Sequence, residues 1–334
     1  MRVICSFVCV MSIALSACSP TQAPSPQTGE TATSQASTKP APNAKVKVAF
    51  VTNNTSDFWA IAEVGTKKAA EELGCEVLFR RPATGTAQEQ QQIMEDLIVN
   101  RVSGIAVSPN DPQNWTETLN GFAQQVNLIT QDSDAPESDR LCYLGTNNYD
   151  AGKAAGELIK KVLPDGGKIM LFVGRADAQN AQDRQKGIAD TLAGSNITIL
   201  GTRTDETDRA KAIANVQDTL VSNPDVACLV GLWSYNGPAI LNGVRDSGKL
   251  GQVKIVAFDE EDETLQGIID SHIEGTIVQQ PYEFGYQSVK LLDQLAKGDK
   301  SAVPESKQIF VPVRTITKAE VEEFRATLRE QIGH

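Results

Sequence analysis

From residue 45 onward, short apolar runs alternate with amphipathic stretches. Strands are predicted over 46–52, 76–80, 104–107 and 126–130, with helices over 57–73, 87–100 and 113–125 between them. After an extended 141–144 the pattern restarts. Helices are predicted over 149–162, 178–192, 208–221, 238–247, 261–270 and 283–296, and strands over 168–173, 197–203, 227–232, 253–258 and 275–278. An extended 307–313 and a helix over 318–331 finish the chain. The apolar runs are continuous rather than alternating, as parallel strands covered on both faces read. Two successive βα sets therefore predict an α/β protein of two open, mainly parallel lobes that part near Gly145, Thr146 and Asn147.

The first 44 residues break this pattern. Arg2 precedes an apolar run that ends in small residues, which reads as a signal segment over 1–17, too short to span a membrane stably. Leu15, Ser16, Ala17 and Cys18 look like a bacterial lipobox, so Cys18 is expected to carry lipid. Residues 18–44 then form a tether; rich in Pro, Ser and Thr, they have little to bury against their ordering entropy. No later stretch is long and apolar enough to cross a bilayer.

Charge and composition narrow the chemistry. The net charge is −11, and loss of the leader with Arg2 makes the remainder more negative, which disfavours nucleic acid and anionic lipid as partners. Cys5 and Cys9 leave with the leader, while Cys75, Cys142 and Cys228 sit in apolar contexts and read as small buried residues. With His272 and His334 as the only histidines, a His-based metal site or a Ser-His triad has almost no material. No G-x-G-x-x-G or P-loop occurs, so no cofactor is expected. The acidic run from Asp132 to Asp139 lacks the Gly and final Glu of a calcium loop and reads as a solvated turn.

Ligands of open α/β sheets bind beyond the carboxyl ends of the strands. There the chain places Ser56, Asp57, Phe58 and Trp59, then Gln131 and Asp132, then Gln182, Asp183 and Arg184. Trp233 to Asn236, Asp259 to Glu261, and Gln279 to Tyr282 follow later strands. These are carboxylates, amides and aromatic rings, with no nucleophile beside a base. Such a set suits a polyol, whose hydroxyls donate and accept at once and whose C–H faces lie on aromatic rings. Phe58 and Trp59 from one lobe and Trp233 from the other are placed to grip opposite faces of a sugar.

In order along the chain, N-N-T-S-D-F-W, I-T-Q-D-S, T-N-N-Y-D-A-G, A-Q-D-R-Q-K-G-I, V-A-F-D and G-T-I-V-Q-Q-P-Y-E-F-G-Y resemble the periplasmic sugar-binding proteins of the ribose-binding type, the solute receptors of ABC importers. The resemblance covers about residues 45–315. It implies a type I periplasmic binding protein fold: two Rossmann-like lobes with parallel sheets, joined by a three-segment hinge. The first lobe would be 45–146 with 280–306, the second 147–279 with 307–334, and the crossings near Thr146–Asn147, Gln280–Pro281 and 305–307. Carried over by position, Phe58 and Trp59 stack on the sugar, Asp132 and Asp259 accept its hydroxyls, Gln279 supplies an amide near the hinge, and Ser56 stands where the family often has Asn. The chain departs from the family where Ser133 and Gln182 replace arginines and Trp233 replaces an asparagine. Arg184 matches the second, more structural arginine, and Asn236 offers a displaced amide. Two lost guanidinium forks are not replaced in kind, so the expected ligand is a monosaccharide other than ribose. The expected partners are that ligand, a membrane permease and, through Cys18, a lipid anchor. The expected place is the cell envelope, and the expected state a monomer without enzymatic activity.

Other readings share these residues. The same two carboxylates suit glycoside hydrolysis, and a receptor reporting to a membrane kinase needs the same cleft. Asp132, Asp259 and Glu260 also suit a small cationic ligand. A sugar-responsive repressor is excluded, because a tether stands where DNA-binding helices belong.

Overall fold

The computed structural model describes residues 45–56 and 58–332, so the expected leader, Cys18 and tether lie outside the described residues. In the first lobe, β1 (Lys47–Val51), α1 (Phe58–Leu73), β2 (Glu76–Arg80), α2 (Ala87–Val99), β3 (Gly104–Val107), α3 (Thr116–Ala123), β4 (Asn127–Gln131) and β5 (Tyr143–Gly145) follow one another. The second lobe holds α4 (Asn148–Val162), β6 (Gly167–Val173), α5 (Gln179–Leu192), β7 (Ile197–Thr204), α6 (Arg209–Ser222) and β8 (Val226–Gly231). It continues with α7 (Asn236–Asp246), β9 (Lys254–Phe258), α8 (Asp262–Ile269) and β10 (Gly275–Val278). The chain returns to the first lobe for α9 (Pro281–Ala296) and β11 (Gln308–Phe310), then ends in the second with β12 (Arg314–Thr317) and α10 (Val321–Ile332).

The strand orders are β11-β5-β4-β3-β1-β2 and β12-β10-β9-β8-β6-β7, so the lobes repeat one topology. Every pairing is parallel except β10 with β12. The continuous apolar strands are buried as their pattern predicts: all of β3 and β10 lies inside. Helix starts carry their own caps. Asn147 accepts from the Asp150 amide at α4, and Asp208 from the Ala210 and Lys211 amides at α6. Cys75, Cys142 and Cys228 are free and buried.

The third crossing falls later than the sequence led us to expect. β11 pairs with β5, so residues 308–310 belong to the first lobe and not the second. Val311 packs in the first lobe's core and Val313 against the second's, which puts the crossing at Pro312. The Gln280 amide, on the second crossing, donates to the Pro312 carbonyl at 2.7 Å and ties the two segments together. The antiparallel β12 was not foreseen either. Only Ile316 of its four residues is fully buried, too little to register as a periodic pattern.

Each lobe closes one face with a glycine-to-backbone helix crossing. A Cβ on Gly285 of α9 would lie 2.0 Å from the Ala62 carbonyl oxygen of α1, and one on Gly152 of α4 would lie 2.2 Å from the Arg184 carbonyl oxygen of α5. Gly152→Ala is therefore expected to cost about 1–3 kcal/mol by forcing the helices apart, read as a lower denaturant midpoint. An unchanged midpoint would show that α4 and α5 separate freely.

Candidate functional site

The two carboxylates expected at the strand ends occupy equivalent places. Asp132 follows β4 and Asp259 follows β9, the fourth strand of each sheet in chain order. Both have left-handed backbones, with φ of 59° and 65°, a conformation that Asp tolerates better than most residues. Each turn is pinned by its own lobe. The Asp132 amide donates to the Leu144 carbonyl at 3.3 Å and the Asp259 amide to the Ile277 carbonyl at 2.9 Å. The Thr276 hydroxyl donates to the Asp259 carbonyl at 2.7 Å.

On the first lobe, Asp132 Oδ2 accepts from Ser108 Oγ at 2.9 Å and Asn53 Nδ2 at 3.3 Å. Asn53 is oriented in turn by Trp59, whose indole Nε1 donates to Asn53 Oδ1 at 3.2 Å and Asn54 Oδ1 at 3.1 Å. Phe58 packs edge-on against Trp59, with ring centroids 4.9 Å apart. Trp59 is only 1% exposed and both rings belong to the first lobe's core. In this conformation the aromatic pair offers no free face. It packs the loop after β1 and delivers Asn53 to Asp132. Tyr143 Oη lies 2.9 Å from the carbonyl oxygens of both Asp132 and Thr146, linking the carboxylate turn to the first crossing.

On the second lobe, Asp259 Oδ1 accepts from Gln279 Nε2 at 3.0 Å. Arg184, 1% exposed, donates from Nε to Asn148 Oδ1 at 2.9 Å and from Nη1 to the Leu232 carbonyl at 2.5 Å. Its guanidinium sits 4.5 Å from the Phe258 ring centroid. It has no direct ion pair with either carboxylate, yet its charge favours the ionised form of both. Burial is the larger effect: it pushes Asp132 up to about 6, against the pull of Ser108, Arg184 and Asn53, while the Asp259 charge adds to the push. Asp259 is also raised, by burial, with Arg184 and Gln279 opposing. Both carboxylates are thus buried, and the Arg184 charge lowers the pKa of each.

Other expected site residues stand differently. Trp233 is half-buried, its indole N–H bonded to Asn180 Oδ1 at 3.2 Å and its backbone N–H to Asn236 Oδ1 at 3.0 Å. Its ring lies against Gly174, where a Cβ would come within 2.3 Å. Asn236 is fully buried and uses its other end on Asp205 Oδ2 at 3.2 Å, so its amide is used within the lobe. Gln182 is exposed and donates to the Asp177 carbonyl at 3.3 Å. Ser56 forms a turn, its amide on Asn54 Oδ1 at 2.8 Å and its carbonyl under the Trp59 amide at 3.1 Å. In the acidic run after β4, Asp134 is tied to Arg140 and to Thr130 Oγ1, and among the described residues no acidic, His or Cys cluster is arranged to hold a metal.

Sequence reasoning passed over Asn53 and Ser108, named Glu260 only for a cationic ligand, and gave Arg184 only a scaffold role. Ser108 directly follows β3, so the strand-end rule applied to that strand would have found it. Glu260 is 7% exposed, and neither of its carboxyl oxygens has a hydrogen-bond partner. Burial first, then the Asp259 and Glu261 charges, raise its pKa well above the usual carboxylate range.

A model of the periplasmic binding protein domain matches residues 48–300. The ribose import binding protein RbsB of Salmonella typhimurium is 25% identical over 259 residues, covering 77% of this chain and 87% of that protein. The D-allose-binding periplasmic protein of Escherichia coli is 25% identical over 258 residues, covering 74% and 83%. Among solved structures, an ABC transporter solute-binding protein of Burkholderia graminis in complex with D-arabinose superposes with a TM-score of 0.79 at 30% identity, over 84% of this chain and 98% of that one. The chain therefore belongs to the periplasmic binding protein family, within its ribose-type sugar-binding branch.

Proposed function

We propose that this protein is the solute receptor of an ABC importer, anchored in the cell envelope through lipidated Cys18, and that its two lobes close on a monosaccharide other than ribose. The observation that carries the reading is the pairing of Asp132 and Asp259. They come from equivalent turns of different lobes, both are buried, and the Asp259 charge raises the pKa of Asp132. A ligand bridging them makes contacts in the closed arrangement that it cannot make when the lobes part, which is how binding favours closure. The crossings at 146–147, 279–280 and 312 then serve as the hinge.

Site by site, Asp132, Asp259 and Gln279 accept or donate to hydroxyls, and Trp233 contributes a ring from the second lobe. The relatives that bind ribose, allose and arabinose support a sugar. The loss of donor arginines at Ser133 and Gln182 supports one other than ribose. Thermal unfolding of the full-length protein against pentoses, hexoses, polyols, amino acids and polyamines tests this. A ligand at 100 times its Kd adds about 2.7 kcal/mol, a rise of several degrees at roughly 2–4 °C per kcal/mol. Shifts confined to one sugar class are expected. A shift with amino acids or polyamines alone would remove the sugar assignment.

A further inference from the structure

We propose that the Asp259–Glu260–Gln279 end of the site is a subsite for a protonated amine, so that the ligand is an amino sugar or amino polyol; this rests on the sugar-receptor reading above. Three groups meet there with almost nothing but acceptor atoms to offer. Asp259 is 4% exposed and accepts from Gln279, through both the backbone N–H and the side-chain amide Nε2. That amide is itself 4% exposed, and once Nε2 is used its Oε1 lies beside the Asp259 carboxylate without a donor. Glu260, next in the chain, buries two carboxyl oxygens with no donor at all.

Leaving such groups unmatched is costly. Among the described residues no cation is hydrogen-bonded or ion-paired to Asp259 or Glu260, and Arg184 acts on Asp259 through its charge alone. Arg184 is bonded to Asn148 and the Leu232 carbonyl, and makes no ion pair with Asp259. Glu261, whose charge also reaches Glu260, is itself paired with Arg209 at 3.2 Å. The remaining carboxylate of the site, Asp132, reaches in from the other lobe and adds negative charge.

The shape of the deficit identifies the ligand group. A neutral hydroxyl donates one hydrogen bond and seeks donors for its own lone pairs. An ammonium donates three and accepts none. With both Glu260 oxygens and Gln279 Oε1 lacking protein donors, this pole matches an ammonium better than a hydroxyl, because the ammonium's charge lets Glu260 release the proton that burial otherwise holds on it. The sugar frame remains the business of Asp132 and Trp233, while the amine takes the Asp259 end.

Calorimetric titration of the full-length protein tests this with glucosamine, galactosamine and mannosamine, each against its parent hexose and its N-acetyl form. At least one amine is expected to bind roughly tenfold or more tightly than both neutral forms, the scale of one charge-assisted hydrogen bond. Glu260→Gln keeps the shape and removes the carboxylate; it should erase most of that preference, read as the ratio of amine to parent-hexose affinity within the same variant. Asp259→Asn provides a second variant, with a side chain that tolerates the left-handed turn. Parent hexoses binding as tightly as their amines would overturn the amine subsite and leave the sugar receptor standing. A preference untouched by both variants would also overturn it. Failure of every sugar, amine or neutral, would overturn both readings.

Discussion

Asp132→Asn is expected to weaken ligand binding by roughly 10–100-fold and, at pH 8, to make the empty protein more stable than the wild type. The first effect follows from charge. A carboxylate accepting from a ligand contributes about 1.5–3 kcal/mol, more than a neutral amide does. Asn can still accept from Ser108 and Asn53, and it tolerates the φ of 59°. What changes is the atom turned to the ligand, from acceptor to N–H donor. The second effect follows from burial. Asp132 is pushed from 3.8 to about 6 in the folded protein. Between these values the folded state holds a proton that the unfolded state has released. Stability tied to that proton is complete below about pH 3.8 and is lost as pH rises through 6, a loss on the order of 3 kcal/mol above it. Asn has no such proton. The gap in unfolding temperature between variant and wild type should therefore open from pH 4 to pH 7 and then level off. A gap that stays constant across this range would show that the buried carboxylate costs the fold nothing.

Arg184→Met should be the most damaging single change at the site, with a loss of about 3–5 kcal/mol of stability together with loss of binding. The guanidinium is almost wholly buried and holds Asn148 on α4, the Leu232 carbonyl at the end of β8 and the Phe258 ring in one place. Its removal also takes away the positive charge that favours the ionised forms of Asp132 and Asp259. Arg184→Lys should rescue little, because an ammonium cannot reproduce the planar fork that reaches two acceptors and lies on a ring. The electrostatic part can be separated from the packing part. In an Asp132→Asn background the same Arg184→Met change should cost less, and the difference measures the coupling between the two residues. Equal costs in both backgrounds would make Arg184 a packing residue alone, as its place in the sequence first suggested.

The fold was legible where burial is two-sided. β3 and β10 could be read to the residue, because continuous apolar runs bounded by Gly or polar residues leave few alternatives. The last crossing was not legible. Val311 and Val313 look equivalent in sequence, yet they pack in different lobes, and only the pairing of Gln308–Phe310 with Tyr143–Gly145 separates them. At the site, Asp132 and Asp259 were visible because the strand-end rule points straight at them. The rest depended on partners far apart in the chain. Nothing local says that the Trp59 indole bonds back to Asn53, or that Asn53 then reaches 79 residues on to Asp132. Asn236 shows the reverse error. Three residues from Trp233 it looks free to meet a ligand, but both ends of its amide are used inside the lobe.

The most direct measurement is a crystal structure of the protein with the tightest-binding sugar from the ligand screen. The account predicts the sugar between the lobes, within hydrogen-bond distance of both Asp132 and Asp259 and beside Trp233. A sugar bound to one lobe alone, or away from those two carboxylates, would contradict it.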